Sequence, residues 1–188
     1  MSAFVNEIMS RGYDEVSVED IVRRADVGRS TFYLHYKSKG DLLRESIARP
    51  SAILCHIVGG DVTVDMLLPQ LAHFHQQRTR GASFFREPLR RIWVKRLAEM
   101  MEPRLTKVVR HARARGLLPS AMAALQLAEA QIALISNWIL ERPELDPNVV
   151  AEALIAATHG SMRSLLRLRP EVPVLIPDEK LKIVYQSA

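Results

Sequence analysis

A single cysteine, Cys55, stands among 188 residues, so no intramolecular disulfide can form. That excludes a disulfide-stapled fold and predicts a reducing, cytoplasmic setting. No run reaches the ~18 uncharged apolar residues of a membrane span, so no membrane partner is expected. Residues 1–4 lack the basic and apolar regions of a signal peptide. Also missing are a Gly-rich phosphate loop, a Gly-x-Ser-x-Gly elbow and paired metal ligands. No catalytic residue, metal site or cofactor is therefore predicted, and an enzyme is disfavoured. What is present is ordinary globular material, 48% hydrophobic and 25% charged, enough for a sizeable core. The net charge of +5 permits an anionic partner without locating it.

The first fifty residues are short helical patterns with sharp punctuation. Phe4, Val5, Ile8 and Met9 share a helical face that Gly12 ends. Ser17 and Asp20 have capping-box spacing and open a helix over 18–25, with Val18, Ile21, Val22 and Ala25 on one side. Glu19 with Arg23, and Asp20 with Arg24, are spaced to pair on its outside. Asp26-Val27-Gly28 breaks that helix, and residues 29–36 form the next. Ser38 then caps a fourth helix carrying Leu42, Leu43 and Ile47, which stops before Pro50.

Helix, three-residue turn, helix is the spacing of a helix-turn-helix, whose second helix enters the major groove. The segment 29–36 is too short to bury all its polar and aromatic side chains, and Phe32 is expected to point inward. Arg29 suits a bidentate contact to guanine and Thr31 a thymine methyl. Tyr33, His35 and Lys39 suit phosphates. On spacing alone, a solvated polar helix in an all-helical domain fits equally well.

The order of residues breaks that tie. Gly12-Tyr13, Val16-Ser17-Val18-Glu19-Asp20-Ile21 and the run from Ser30 to Lys39 closely resemble the DNA-binding region of the tetracycline-repressor (TetR) family, over about residues 3–48. The resemblance implies a homodimeric transcription factor, most often a repressor, released from a palindromic double-stranded DNA operator by a small-molecule effector. Carried over by position, Ser17, Arg29, Ser30, Thr31, Tyr33, Leu34, His35 and Lys39 fall where the family touches DNA. Four features depart from the family pattern: Asp26 replaces a usual Gly, Gly28 a usual Ser or Ala cap, and Gly40 a common acidic residue. The first helix also begins almost at Met1 without a basic arm, so either minor-groove contacts are missing or the native start lies upstream.

Beyond a junction expected at 51–60, ending in Gly59-Gly60, helix follows helix. A stripe of Val64, Leu67, Leu68, Leu71 and Phe74 is interrupted by Pro69, so that helix either kinks there or begins near Leu68. His73 and His75, two apart, point in different directions and do not share a metal. Residues 86–101 form another helix, and Pro103 opens a further one to about 115. Segment 86–115 holds ten Lys plus Arg against three acids, a net +7, whereas residues 1–60 carry eight of each. That basic stretch reads as a solvated face, with an acidic ligand or flanking phosphate as the other reading.

Helices over 121–140 and 147–167 close the chain. Both are rich in small residues: Ala123, Ala124, Ala128 and Ala130 in one, Ala153, Ala156, Ala157 and Gly160 in the other. In the family it resembles, such a pair meets its symmetry mate in a four-helix interface. Phe74, Phe85, Trp93, Met100 and Trp138 are the candidate lining of an effector pocket. The expected architecture is all-α: a helix-turn-helix DNA-binding domain at 1–49, a helical ligand-binding and dimerisation domain at 61–167, and a tail at 168–188. The competing function is a dimeric helical interaction protein of the same fold that does not bind DNA.

Overall fold

Caps and apolar stripes set the first four helices where they were expected. The computed structural model describes residues 1–168, and the tail beyond Leu168 lies outside the described residues. The order is α1 (Ser2–Arg11), α2 (Val18–Ala25), α3 (Arg29–His35), α4 (Lys39–Ser46), α5 (Ala48–His56), α6 (Val64–Gln76), α7 (Arg78–Gly81), α8 (Leu89–His111), α9 (Ser120–Glu141) and α10 (Pro147–Leu165). Two 3-10 turns, Ile57–Gly59 and Ala82–Phe85, complete the described residues' regular structure, which is all helical.

At α1, Phe4 and Ile8 are fully buried, and Gly12 ends the helix at φ 88°, where a Cβ would strain the backbone. Ser17 and Asp20 form a reciprocal capping box on α2, and Ser38 and Asp41 repeat it on α4. The expected pairs on α2 do not form. Arg24 instead crosses to Glu7 of α1 at 2.8 Å, and Glu19 meets Arg29 of α3 at 3.3 Å. Arg23 takes Asp20, one residue closer along the helix than Glu19. Helix-to-helix partners outcompete the i,i+4 pairs, and each ties α2 to a neighbour.

Three corrections concern the rest of the chain. The stretch read as a junction is α5 and a 3-10 turn, with Ile53, Leu54, Ile57 and Val58 all buried. Ile47 is shared between the end of α4 and the start of α5, and Pro50 sits in the first turn of α5, where it costs no hydrogen bond. Second, α6 continues through Pro69, so it does not begin near Leu68. Third, α8 is one helix of 23 residues through Pro103, not two. Pro69 and Pro103 are both exposed, as are Asp65 and Glu99, whose carbonyls lose their amide partners. That side of each helix is open to solvent, so an interior proline costing about 3 kcal/mol is borne by a helix packed on its other side.

The C-terminal helices share a core through α8, α9, α5 and α10, with Leu97, Met101, Leu105, Ala128, Ile132 and Leu154 among its buried side chains. Several polar groups there pair across helices: Trp93 Nε1–H donates to Ser51 Oγ (3.0 Å), and Gln131 Nε2 donates to Thr158 Oγ1 (3.0 Å) and the Leu54 carbonyl (3.3 Å), while Gln131 Oε1 and Ser136 Oγ are buried without a partner among the described residues. These bonds stitch α5 to α8, α9 and α10. Helix α9 is long and apolar enough, by length and composition, to cross a membrane, yet 56% of that window is buried in the fold. Its buried apolar residues, Leu127, Ile132, Ile135 and Ile139 among them, are packing faces.

Candidate nucleic-acid interface

Helix α3 has seven residues and buries one of them. Phe32 is 5% exposed and packs edge-on to Tyr33, with ring centroids 5.2 Å apart. Every other residue of the helix is exposed, including Leu34 at 80% and Tyr33 at 51%. Arg29, Ser30, Thr31, Tyr33, Leu34 and His35 thus stand together on the outer faces of one helix.

The turn that aims this helix is tightly built. Asp26 closes α2 in the left-handed conformation (φ 53°, ψ 48°), which Asp tolerates better than most residues. Gly28 is the N-cap of α3 at φ −73°, so this glycine is not required by backbone geometry. A Cβ there would meet only Ser30 Oγ at 3.6 Å and Thr31 Oγ1 at 3.8 Å. The departure from a Ser or Ala cap is therefore sterically neutral, and Gly is an acceptable N-cap.

Ser17 is exposed at the start of α2, and its hydroxyl donates to Asp20 Oδ2 at 2.6 Å. That bond and the Ser17 amide, with Arg11 at 3.2 Å, hold the Asp20 carboxyl well below the usual aspartate range. At Asp41, desolvation pushes the carboxyl up, but the Lys37 and Ser38 amides and the Ser38 hydroxyl outweigh it and leave it lowered. Arg29 is exposed and pairs with the equally exposed Glu19, a contact it can exchange.

Lys39 is placed differently from the other candidates. Its ammonium donates to the carbonyls of Tyr13 (2.8 Å) and Val16 (3.0 Å), and stands 4.4 Å from the Tyr13 ring centroid. This holds the α1–α2 turn against the start of α4. Tyr36, just past α3, hydrogen-bonds Glu45, which with burial raises its phenol pKa.

Of the five candidate pocket residues, Phe74, Phe85 and Trp93 come together, with ring centroids 5.4–5.6 Å apart. They line a cavity of about 410 Å3. Met100 and Trp138 do not line it. Trp138 stacks on His75 at 5.5 Å and donates to the Leu145 carbonyl, while the Met100 carbonyl accepts from Cys55 Sγ. Phe84 joins the lining, as do Val5 and Met9 of α1 and Ile47. The α1 residues have no distinguishing sequence signal, because a half-buried apolar position reads the same whether it faces core or cavity. Among the described residues no group of three or more His, Cys, Asp or Glu is placed to hold a metal ion, and His75 Nε2 contacts the Pro143 carbonyl.

Residues 1–46 match the family model described as bacterial regulatory proteins, tetR family. The chain is also similar along most of its length to a TetR transcriptional regulator from Streptococcus agalactiae 2603V, at 25% identity and a TM-score of 0.50, covering 84% of this chain and 89% of that one. Residues 1–46 belong to the TetR family. That is a family of regulators, not of enzymes. An uncharacterized HTH-type transcriptional regulator of Bacillus subtilis (strain 168), YwcC, is 49% identical over 43 residues, which make up 23% of this chain and 19% of that relative's length. The TetR fold itself is shared with Thermus thermophilus FadR, a repressor solved with lauroyl-CoA, at 17% identity and a TM-score of 0.55 over 92% of this chain and 96% of that one. Within this TetR domain the helix-turn-helix is α2 and α3.

Proposed function

We propose that this TetR-family protein is a homodimeric transcriptional repressor that binds a palindromic DNA operator and leaves it when a small-molecule effector binds. The observation that carries the DNA reading is the outer surface of α3, six exposed residues around one buried anchor. In this reading residues 1–49 are the DNA reader and 61–167 the regulatory and dimerisation part. Arg29 reads a guanine and Thr31 a thymine methyl, with Leu34 and Ser30 completing the groove contact. Ser17, Tyr33 and His35 take phosphates. Freeing Arg29 from Glu19 costs little, since exposed ion pairs contribute about 0–1 kcal/mol. Lys39 acts by holding the α1–α2 turn in place.

Support for the dimer comes from the outer faces of α9 and α10. Met122, Leu125 and Val149 are 48–56% exposed, and Ala130, Ala153, Ala156, Ala157 and Gly160 are exposed beside them. Such a row of small and apolar side chains suits a two-fold helix pairing. Ala123, Ala124 and Ala128 are instead fully buried within the chain, where they let α9 approach its own neighbours.

A gel shift with genomic fragments at several salt concentrations tests the function. The repressor predicts retained bands whose affinity falls steeply as salt rises. An interaction protein without DNA binding predicts no shift at any salt.

A further inference from the structure

The aromatic cavity is walled on one side by the DNA reader itself. Val5 and Met9 of α1, and Ile47 where α4 passes into α5, line it together with Phe74, Phe85 and Trp93. At about 410 Å3 it lies within the roughly 300–1,000 Å3 range of small-molecule sites. Part of its lining is polar. Arg49, Gln70, His73 and Gln77 line it, and no carboxylate does. Arg49 is exposed and has no ion-pair partner among the described residues. The aromatic rings meet edge-on or tilted, presenting both faces and edges to a flat guest.

We propose that this junction cavity binds a small aromatic carboxylate, its ring against Phe74, Phe85 and Trp93 and its charge on Arg49. The inference rests on the regulator reading for its biological meaning, though the binding itself does not require DNA. A guanidinium at the mouth selects a carboxylate through paired N–H donors, and the absence of acids at the rim removes the repulsion that would reject one. Because α1 forms a wall, an occupant contacts both the reader and the regulatory helices. A guest whose affinity depends on how α1 sits must shift where the reader sits, by linkage.

The test uses the full chain without DNA and two probes of the same shape, 1-naphthoate and its neutral amide, 1-naphthamide. Titration calorimetry should show 1-naphthoate binding at least about tenfold more tightly, the contribution of one charge-assisted hydrogen-bonded pair. Arg49→Gln, an exposed position, should reduce that preference to near parity with the melting temperature unchanged. Val5→Phe, filling the cavity from α1, should weaken both probes. If that variant does not fold, hydrogen exchange of the α1 amides in the unaltered chain should slow on saturation with 1-naphthoate. Equal affinity for the two probes, no binding of either, a preference that survives Arg49→Gln, or α1 exchange that ignores the ligand would each overturn the proposal. A parallel gel shift of the unliganded chain separates the two claims: absence of any DNA binding there overturns the repressor reading, while naphthoate selectivity alone decides the cavity.

Discussion

Lys39 sets its ammonium 2.8 Å from the Tyr13 carbonyl oxygen and 4.4 Å from the centre of the same residue's ring. One side chain thereby ties the start of α4 to the turn that precedes α2. Lys39→Met keeps the stem and removes the charge, leaving the Tyr13 and Val16 carbonyls without that donor. We expect a loss of about 1–2 kcal/mol in denaturant unfolding. The salt slope of DNA binding should stay unchanged, whereas a phosphate-bound lysine would lower it by about one ion.

The base-reading helix can be tested without disturbing the fold. Leu34→Ala removes a side chain that is 80% exposed, so stability should change by less than about 0.5 kcal/mol. DNA affinity should nevertheless fall. Thr31→Ala and Arg29→Ala should each relax preference at one base pair by about 1–3 kcal/mol. Competition gel shifts with single-base operator variants read these effects.

Acid sensitivity should trace to the capping carboxylates. Asp20, held by the Ser17 hydroxyl and amide, Asp41, held by the Lys37 and Ser38 amides against desolvation, and Asp146, held by Asn148, all have lowered pKa values. A carboxyl more acidic in the folded state stabilises fully above its unfolded pKa, and that stability is lost as pH falls through the folded value. Melting temperature should therefore be flat above the usual aspartate value of 3.8 and drop below it. Asp20→Asn should lower the plateau and shrink the acid-dependent drop, as followed by calorimetry between pH 7 and 2.

Asp26 occupies a left-handed position at φ 53° and is exposed. Asp26→Gly should relieve backbone strain and raise stability by about 0.5–1 kcal/mol, read as a higher melting temperature. An unchanged or lower melt would mean that the aspartate is already at ease there.

How far the sequence carried the fold depended on whether its signals were local. Ser17, Gly12 and Ser38 mark α1, α2 and α4 because caps and left-handed stops act within one turn of chain. Asp146 marks α10 in the same way. Helix α5 was missed because Ile47 serves two helices and no side chain caps the joint. The continuity of α8 through Pro103 depends on which face meets solvent, a tertiary fact. Phe74, Phe85 and Trp93 were legible as aromatic positions, but Trp138 looked the same and stacks on His75 elsewhere. The outward placement of α3 was readable from its motif, whereas the inward turn of Lys39 was not, since a lysine's reach is decided by carbonyls 23–26 residues away.

Symmetry is the remaining element of the account. Ala157 is exposed on α10, so Ala157→Glu should leave the single chain folded while burying a charge in any helix pairing. Sedimentation should show dimer for the native chain and monomer for the variant at the same micromolar concentration.

Selection of bound DNA from a random pool, followed by sequencing, tests the central claim most directly. A two-fold dimer reading DNA through α3 must recover an inverted repeat whose half-sites are about 10–10.5 base pairs apart, or a multiple of that, centre to centre. Recovery of no enriched sequence, or of a single half-site without an inverted partner, would contradict it.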